Sequence, residues 1–391
     1  MQELEGLIDE PQTEVPAAQL EGAQVGRYRV ISELGAGTTG RVLRVWDDRL
    51  HREVALKLLK RRVGPNFGQP LDQVSARFIE EAQVTSQLDH PAIVPIHELG
   101  KTDEGQPFFT MKLVKGDEFS RFVDRVGQQS SDWSVLRGLR LIQRAGEALA
   151  YAHHKRVIHR DVKPGNIMVG RFGAVYLVDW GLTRVLDSDP YAGRIPGMPT
   201  TSLPTRGVQS VRSPGSAAIE LGTRAGTSLG TPYYMSPEQA RGDTASMTPA
   251  VDIYGLGAVL YHMLAGEPPY RRSGPNDSVD KMLRRIDAGP PVELGTIAPA
   301  LDARLCRIVG RAMAHDPKKR YGRMEDLLAD LTDFIDGGTT LNSNALGIPD
   351  SPPPAALSWG PFLRQNAVIL FLCAALTFML GLWWNRLLGH G

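Results

Sequence analysis

The hydrophobic pattern of this chain changes from short strand-like runs to longer helical runs, and this change limits its fold class. Strand-like runs come first, in YRVISELG, RVLRVWD and EVALKLLK, and the turn AGTTG joins the first two as in an antiparallel hairpin. Helical spacing follows in QVSARFIEEAQVTSQL, and two more strand-like runs follow in IVPIHELG and PFFTMKLVKG. After Gly116 the pattern is helical, as in SVLRGLRLIQRAGEALAYAHH and VDIYGLGAVLYHMLAG. A sheet-rich part before a helix-rich part predicts an α+β fold in two lobes.

Shifts in composition set off both ends of the chain. Residues 1–26 are rich in Glu, Gln, Ala and Pro, and we expect a disordered lead-in there. Residues 337–366 contain DSPPPAA and are expected to form a linker. Residues 367–384 carry no charge and would extend about 27 Å as a helix, close to the hydrocarbon core of a bilayer. They predict one transmembrane helix, followed by a short tail over 385–391. The alternative, a buried terminal helix, is disfavoured because the segment has no polar face.

Charge and cysteine content exclude two classes of protein. The 44 Lys and Arg residues offset 43 Asp and Glu residues, so the chain lacks the basic excess that is typical of nucleic-acid partners. Two cysteines, Cys306 and Cys373, are too few for a disulfide framework, which favours an intracellular folded region. We expect no cleaved signal peptide, because no charged and then apolar leader opens the sequence.

A glycine-rich turn and a lysine in an apolar strand suggest contacts with phosphate. GAGTTGRV, which ends at Val42, fits the pattern G-x-G-x-x-G-x-V, and glycines let backbone N–H groups approach phosphate oxygens. A dinucleotide-binding turn is excluded, because a strand-like run follows where that motif needs a helix. Lys57, in VALK, is costly in an apolar strand unless it is paired, and Glu80 and Glu81 on the next helix are candidate partners.

An irregular loop carries most of the chemistry. HRDVKPGN, residues 159–166, groups charged and amide side chains where proline and glycine disfavour a helix or strand. A solvated surface turn is the alternative for this loop taken by itself. A second acid, Asp179, follows another strand-like run in YLVDWGL.

These motifs occur in the order found in protein kinases: GAGTTGRV, VALK, HRDVKPGN, DWG and SPE. The chain therefore resembles the bacterial, eukaryotic-like serine/threonine protein kinases over about residues 27–336. The resemblance implies a protein kinase fold whose small lobe, about 27–114, holds an antiparallel sheet and one helix. It also implies a larger helical lobe, about 115–336, with an extended activation loop over 179–238.

The resemblance implies that the γ-phosphate of ATP is transferred to Ser or Thr hydroxyls of proteins. Asp161 would accept the proton of the hydroxyl, Lys163 would lie beside the transferred phosphate, and Thr231 would border the acceptor site. Asn166 and Asp179 would coordinate Mg²⁺, whose charge offsets that of the phosphates.

The nucleotide-binding residues also follow from the resemblance. Lys57 would hold the α- and β-phosphates and pair with Glu81 rather than Glu80, since the position before Ala82 matches the family best. Val42 and Ala55 would form the roof of the adenine pocket, Met168 its floor, Met111 the gatekeeper, and Lys112 to Val114 the hinge, with Glu118 at the ribose. The full expected set is Leu34, Gly35, Ala36, Gly37, Thr38, Thr39, Gly40, Arg41, Val42, Ala55, Lys57, Glu81, Met111, Val114, Glu118 and Met168.

Other matching residues are expected to be structural. Glu238 and Arg320 would form a buried ion pair in the helical lobe, and Asp252 would brace the backbone of the catalytic loop. His159 would pack inside the lobe and take no part in acid–base catalysis.

Four residues depart from the family pattern. Trp180 replaces the usual Phe after the metal-binding Asp, and Thr85 stands where the family often has a larger apolar side chain. Our hypothesis is that the smaller Thr85 accommodates the larger ring of Trp180. Ser236 replaces Ala, which is a minor change. Lys112 stands where many family members carry an acid, and the sequence offers no reason for it.

Regulation is expected in the activation loop. Arg160 could pair with a phosphate there, and Thr223, Thr227 and Ser228 are the candidate acceptors for autophosphorylation. The insertion at 183–222 carries Gly, Pro, Ser and Thr without periodicity. Docking of a partner is the alternative for this insertion, and disorder is favoured.

The function expected is that of a serine/threonine protein kinase tethered to the cell (inner) membrane, with its kinase domain in the cytoplasm, where ATP is. Its partners would be protein substrates and the membrane, with homodimerisation as one route for signals and with no nucleic acid. The alternative is a pseudokinase scaffold, which is disfavoured because Lys57, Asp161, Asn166 and Asp179 are all present. A kinase acting on small molecules is disfavoured by GTPYYMSPEQ, which matches a shelf for protein substrates.

Overall fold

The computed structural model describes residues 21–37, 40–60, 71–125, 134–186, 208, 232–243, 247–270 and 278–337. The chain divides into two compact units, Met1–Leu341 and Asn342–Gly391, and all described residues lie in the first. The predicted linker beyond Gly337, the transmembrane helix and the tail fall outside the described residues. The same holds for Thr38, Thr39, Thr231 and the candidate phosphate acceptors Thr223, Thr227 and Ser228.

Within the described ranges, six strands of the small lobe form one antiparallel sheet in the order β1-β2-β3-β4-β6-β5. One helix, α1, packs against this sheet, as the sequence predicts. The elements are β1 (Gln24–Val25), β2 (Tyr28–Ala36), β3 (Gly40–Asp47), β4 (Arg52–Leu59), α1 (Leu71–Ser86), β5 (Ile96–Lys101) and β6 (Pro107–Met111).

The folded region includes residues just before Arg27, which corrects the expected disorder for Gln24 and Val25. Gln24 and Val25 pair with β2, and the side chain of Val25 is buried in the core of the small lobe. A strand of two residues has no detectable alternation, so the sequence pattern could not show it.

The two faces of the small sheet are covered by different sets of apolar side chains, because successive residues of a strand point to opposite faces. One set contains Tyr28, Leu43, Val54 and Phe108. On the other face, Phe78 of α1 packs on Phe109 of β6 with their ring centroids 5.0 Å apart. Strand β4 is buried along most of its length, which explains why its sequence is almost continuously apolar.

The larger lobe is mainly helical, as the sequence predicts, and α5 is buried continuously from Val251 to Tyr261. That helix ends at Gly266, whose left-handed backbone (φ +76°) suits a glycine after the last turn. The helices are α2 (Phe119–Val123), α3 (Val135–His154), α4 (Pro237–Ala240), α5 (Ala250–Ala265), α6 (Val279–Ala288), α7 (Leu294–Ile297), α8 (Ala303–Ala312) and α9 (Met324–Asp336), with short 3₁₀ turns at Pro164–Asn166, Arg171–Gly173 and Pro317–Lys319.

Short strands of the larger lobe flank the loops that carry the expected chemistry. They form two small sheets, one in the order β10-β9-β7 and one that pairs β8 with β11. Strand β11 lies inside the 183–222 insertion. Residues Arg184 and Val185 of this insertion are therefore ordered, which corrects the expected disorder at that point. The strands are β7 (Gly116–Glu118), β8 (Val157–Ile158), β9 (Ile167–Gly170), β10 (Val175–Leu177) and β11 (Arg184–Val185).

The helices of the described ranges do not combine the length and the apolar character that a membrane crossing needs. The predicted span, 367–384, lies outside those ranges and stays a prediction.

Helix α5 approaches the catalytic loop so closely that only glycine fits at position 255. A Cβ there would lie 2.9 Å from Cβ of Val162 and 3.3 Å from its carbonyl oxygen. We predict that Gly255→Ala lowers the free energy of unfolding by about 1–3 kcal/mol through overpacking. Gly310→Ala on α8 is the matched control, because a Cβ at Gly310 meets nothing within 4 Å. The control should stabilise the protein by up to about 1 kcal/mol. Chemical denaturation of both variants measures the difference, and equal effects would contradict this account.

Candidate active site

The backbone of the catalytic loop is held by the carboxylate of Asp252, as predicted. Asp252 lies on α5 and is fully buried. It accepts hydrogen bonds from the backbone N–H groups of His159 (2.8 Å) and Arg160 (2.7 Å). Nε2 of His153, on α3, lies 2.8 Å from the same carboxylate. Burial alone would raise the pKa of Asp252, but the hydrogen bond and charge of His153 hold it below its ordinary value.

Asp161 lies in this loop with the two predicted polar residues around it. Nζ of Lys163 donates to its Oδ2 at 2.7 Å. Nδ2 of Asn166 donates to the same oxygen at 2.9 Å and to the carbonyl of Asp161 at 2.8 Å. Both bonds use the amide nitrogen of Asn166, which leaves the amide oxygen as a candidate metal ligand.

A second loop brings Asp179 to the same place. The backbone N–H of Val178 donates to the carbonyl of Asn166 at 2.9 Å, so the two loops are joined next to both predicted metal ligands. Asp179 and Asn166 offer oxygen ligands, which suit Mg²⁺ when substrate phosphates complete its shell. Among the described residues, no group of three or more His, Cys, Asp or Glu side chains could hold a metal ion. A site made of one carboxylate, one amide and phosphates does not need such a group.

Lys57 links the two lobes. Its Nζ lies 2.6 Å from Oε1 of Glu81 and 3.3 Å from Oδ1 of Asp179. The predicted choice of Glu81 over Glu80 is confirmed. Burial would lower the pKa of Lys57, but the carboxylates of Glu81 and Asp179 raise it above its ordinary value. Burial would likewise raise the pKa of Asp179, yet Lys57 and Lys163 hold it lower, so Lys57 and Asp179 keep their charges.

Strand register brings several predicted nucleotide-binding residues together. Val42 is paired with Lys57, and Ala55 is paired with Met111 at the start of the expected hinge. In the lower lobe Glu118 is paired with Met168. The remaining predicted residues of the glycine-rich turn that are described, Leu34 to Gly37, Gly40 and Arg41, lie at the ends of β2 and β3, and Arg41 is bound by Glu33 at 2.5 Å. Val114 lies in the segment between β6 and β7.

Gly40 is required by a close contact with β4. A Cβ at this position would lie 2.7 Å from the carbonyl oxygen of Leu58, which cannot move without breaking the sheet. The last glycine of the motif therefore has a packing reason that does not depend on a ligand.

A cavity of about 240 Å³ lies between the catalytic loop and the segment that precedes α4. Asp161 and Lys163 line one side, and Tyr233, Met235 and Gln239 are among the residues on the other. The cavity has room for a side chain of a second molecule beside Asp161. Thr231, the predicted border of the acceptor site, lies outside the described residues.

Trp180 packs inside the protein. It is buried in the same apolar cluster as Val84 and Leu88 and stacks edge-on against His159, with ring centroids 4.6 Å apart. His159 is fully buried, as expected for a packing residue. Thr85 is also buried, and its hydroxyl donates to the carbonyl of Glu81 at 2.7 Å. A direct contact between Thr85 and Trp180 stays a prediction.

Lys112 has a partner that the sequence did not indicate. Its ammonium group donates to the hydroxyl of Tyr176 on β10 and lies 4.6 Å from the centroid of that ring. A lysine at the hinge therefore connects the hinge to the larger lobe by a hydrogen bond and a cation–π contact.

The predicted ion pair of the larger lobe is confirmed. Glu238 and Arg320 are buried and form two parallel bonds of 2.6 and 2.8 Å. Arg320 also donates to the carbonyl oxygens of Ala250 and Ala314, both at 2.8 Å, so the pair ties α4 to the start of α5.

Sequence reasoning missed His153, Tyr176 and Gln239. His153 fits the apolar face of α3, and its last-turn position gives no sign of the carboxylate it meets. Gln239 donates to the carbonyl of Arg160 at 2.7 Å across 79 positions of sequence, and Tyr176 meets Lys112 across 64. Such distant pairs leave no local pattern.

The buried Lys57–Glu81 pair lies beside the carboxylate of Asp179. The neighbouring loop carries a second acid, Asp161, bound by Lys163 and Asn166. This geometry is that of a phosphotransferase. The model of the protein kinase domain matches residues 28–331. The chain belongs to the protein kinase family.

Curated relatives and a solved structure agree with this assignment. The chain is 31% identical over 320 residues to the serine/threonine-protein kinase PknD of Protochlamydia amoebophila, covering 79% of this chain and 30% of that protein. It is 33% identical over 311 residues to PknD of Mycobacterium tuberculosis, covering 78% and 39% respectively. The kinase domain of PknI from Mycobacterium tuberculosis aligns with a TM-score of 0.53 at 25% identity, covering 80% of this chain and 98% of that domain. The chain thus spans well under half the length of these PknD proteins.

Removing Lys57 should leave a buried, unpaired carboxylate. We predict that Lys57→Met lowers the free energy of unfolding by about 3 kcal/mol near neutral pH. Burial raises the pKa of Glu81 and Lys57 opposes this rise, so the variant should raise that pKa further. The folded variant then holds a proton that the unfolded chain releases above a pKa of about 4.3. The stability of the variant should therefore fall as pH rises. Its deficit, the difference in free energy of unfolding between the parent and Lys57→Met, should be larger at about pH 8 than at about pH 5.

Thermal unfolding of both proteins at the two pH values checks this prediction. Lys57→Met combined with Glu81→Gln is the control, because the amide cannot titrate. Its deficit should depend on pH much less than that of Lys57→Met, since only Asp179 is left to respond to the loss of Lys57. A deficit that is equal at both pH values in Lys57→Met would show that Glu81 is not the titrating group.

Proposed function

We propose that this protein is a serine/threonine protein kinase that transfers the γ-phosphate of ATP to hydroxyl groups of proteins. The observation that carries the proposal is the convergence of Lys57, Asp161, Asn166 and Asp179 through direct bonds between their loops. Family membership alone would allow a scaffold that has lost catalysis. A pseudokinase is not favoured, because each of these polar groups is present and positioned.

The residues divide the work of phosphoryl transfer. Asp161 accepts the proton of the acceptor hydroxyl while the hydroxyl oxygen bonds to the γ-phosphorus and ADP leaves. Lys163, bound to the same carboxylate at 2.7 Å, stabilises negative charge on the transferred group. Lys57 holds the α- and β-phosphates, and Glu81 keeps its ammonium group in place. Asn166 and Asp179 would hold Mg²⁺, which supplies positive charge to the phosphates.

Specificity for Ser and Thr is supported by Lys163, which matches the lysine that serine/threonine kinases carry in this loop. The named relatives are serine/threonine-protein kinases. The cavity beside Asp161 is bounded by the segment before α4, where kinases that act on proteins bind the acceptor. A protein substrate fits this arrangement better than a small molecule does.

Regulation by phosphorylation is supported by positive charge around Arg160. Burial and the charge of Arg184 lower the pKa of Arg160, the charge of Asp252 opposes this, and Arg77 of α1 adds to the lowering. A phosphate on the activation loop would offset the mutual repulsion of these arginines and connect α1, the catalytic loop and β11. Thr223, Thr227 and Ser228 are the proposed acceptors.

Membrane attachment is the remaining part of the proposal. The uncharged segment 367–384 would span the bilayer as one helix and keep the kinase domain at the cytoplasmic face of the cell (inner) membrane. Signals would then arrive through partners, lipids or homodimerisation in the membrane.

Transfer of labelled phosphate tests the catalytic part. The full chain incubated with γ-labelled ATP and Mg²⁺ should label itself, and peptide mapping should place the label on Thr223, Thr227 or Ser228. Asp161→Ala should reduce the rate by about a hundredfold or more, because a positioned base contributes that much. Asp330→Ala, on α9, is the matched control and should label normally. An unlabelled parent would refute the kinase proposal, and label confined to other residues would refute the regulatory part.

Fractionation tests the membrane part. The full chain should sediment with membranes and be released by detergent but not by high salt, because an apolar helix in the bilayer is insensitive to ionic strength. Leu372→Arg combined with Leu376→Arg should move it toward the soluble fraction, since each arginine at the centre of a span costs about 2.5–3.5 kcal/mol. Leu372→Val with Leu376→Val is the control. Recovery of the parent without detergent would exclude the tether.

A further inference from the structure

The peptide that precedes the proposed base has an unusual conformation. Arg160 has φ +71°, a left-handed backbone that a residue with a Cβ rarely adopts. Such a conformation persists only when the surrounding structure fixes it. Its neighbour Asp161 carries the proposed base, so whatever holds Arg160 also sets the position of that carboxylate.

Two buried side chains hold Arg160 at its two ends. Asp252 of α5 accepts from its N–H at 2.7 Å, and Nε2 of Gln239 donates to its carbonyl at 2.7 Å. Gln239 lies on α4 and is only 7% exposed. The catalytic loop is therefore held by α5 on one side and by α4 on the other.

Ser236 sets the orientation of the Gln239 amide. The backbone N–H of Ser236 donates to Oε1 of Gln239 at 3.1 Å, and the Ser236 hydroxyl lies 3.1 Å from the same oxygen. A backbone N–H can only donate, so it requires the amide oxygen on its side. The carbonyl of Arg160 can only accept, so it requires the amide nitrogen on the other side. The three groups leave one orientation for Gln239.

We propose that Ser236 and Gln239 are positioning residues that align Asp161 with the segment that receives the acceptor. The proposal rests on the kinase function proposed above. Gln239 lines the same cavity as Asp161 and Lys163, so one amide touches the acceptor side and the catalytic loop together. The proposal also gives Ser236 a role. Its hydroxyl, which the alanine common at this position lacks, helps to orient the side-chain amide of Gln239.

A purely structural role for these residues is the competing explanation. The Glu238–Arg320 pair already anchors α4 to α5 through buried bonds of 2.6 and 2.8 Å. Loss of the Gln239 bond should therefore leave α4 in place and change mainly the geometry of the catalytic loop. This separates an effect on turnover from an effect on folding.

Gln239→Glu is the decisive variant, because it changes one nitrogen to oxygen and keeps the acceptor that Ser236 binds. The new oxygen would face the Arg160 carbonyl, and the catalytic loop would shift. In the full chain we expect kcat to fall by about tenfold to a hundredfold, the loss that misplacement near 1 Å produces. The KM for ATP should stay within about twofold, because the nucleotide contacts are elsewhere. Gln143→Glu on α3, where Gln143 donates to Thr332 at 2.7 Å, is the matched control and should keep the parental kcat.

Ser236→Ala tests the hydrogen-bonded chain Ser236–Gln239–Arg160 in a second way. It removes the hydroxyl and keeps the Gln239 amide, so kcat should fall less than in Gln239→Glu. When both changes are combined, kcat should equal that of Gln239→Glu alone, because the Ser236 hydroxyl reaches the catalytic loop through the Gln239 side chain. Independent structural effects would instead multiply. The same hydroxyl accepts from the backbone N–H of Gln239 at 3.4 Å and caps α4, and loss of this cap should lower stability rather than kcat.

The outcomes separate this proposal from the one on which it rests. No phosphate transfer by the parent would mean that the kinase function itself is wrong. A parent that is active together with a Gln239→Glu variant of unchanged kcat would overturn the positioning role, as would multiplicative losses in the double variant. If Gln239→Glu does not fold, Gln239→Met removes the donor without adding charge, and the same kcat and KM comparison decides.

Discussion

The site depends on one carboxylate that has no contact with solvent. Burying Asp252 would favour its neutral form, yet two backbone N–H groups and the ring of His153 face it, and the net effect keeps it ionised. The dependence runs both ways. His153 and the loop amide of His159 both lower the pKa of this carboxylate, and the carboxylate in turn accepts from the N–H of Arg160 and so helps to hold its left-handed backbone.

The catalytic loop that Asp252 holds is connected to two other parts of the protein. Through Asn166 and Val178 the catalytic loop is joined to the loop of Asp179, whose carboxylate reaches Lys57 and through it Glu81 on α1. Through the hydrogen bond between Gln239 and Arg160 it is joined to α4 and so to the acceptor segment, residues 232–235 before α4, which lines the cavity beside Asp161. The small lobe and the acceptor segment thus contact the same short loop at different atoms. A change of position at either end reaches Asp161 through two or three hydrogen bonds.

The sequence was sufficient wherever a residue is defined by its spacing in a motif. The change from strand-like to helical runs predicted two lobes, and positions that match the motifs of the family predicted the Lys57–Glu81 and Glu238–Arg320 pairs. It was insufficient where an element is very short, as in β1 and β11, or where two residues meet from distant positions. His153 looked like any core residue of an amphipathic helix, and nothing local linked Gln239 to Arg160. Hydrophobic periodicity reports burial, and it carries no information about which buried polar groups face each other.

The departures from the family pattern show how such pairs arise. Lys112 is unexplained in the sequence and becomes intelligible beside the hydroxyl and ring of Tyr176. Trp180 lies edge-on to His159, and its indole N–H donates to the carbonyl of Leu177 at 3.3 Å, so the larger ring buries no unpaired donor. Ser236 faces Gln239 three residues later. In each case the unusual residue is matched by a second polar or aromatic group that it contacts. A departure from a motif is therefore best interpreted together with its contact, since the energetic cost of the change depends on both residues.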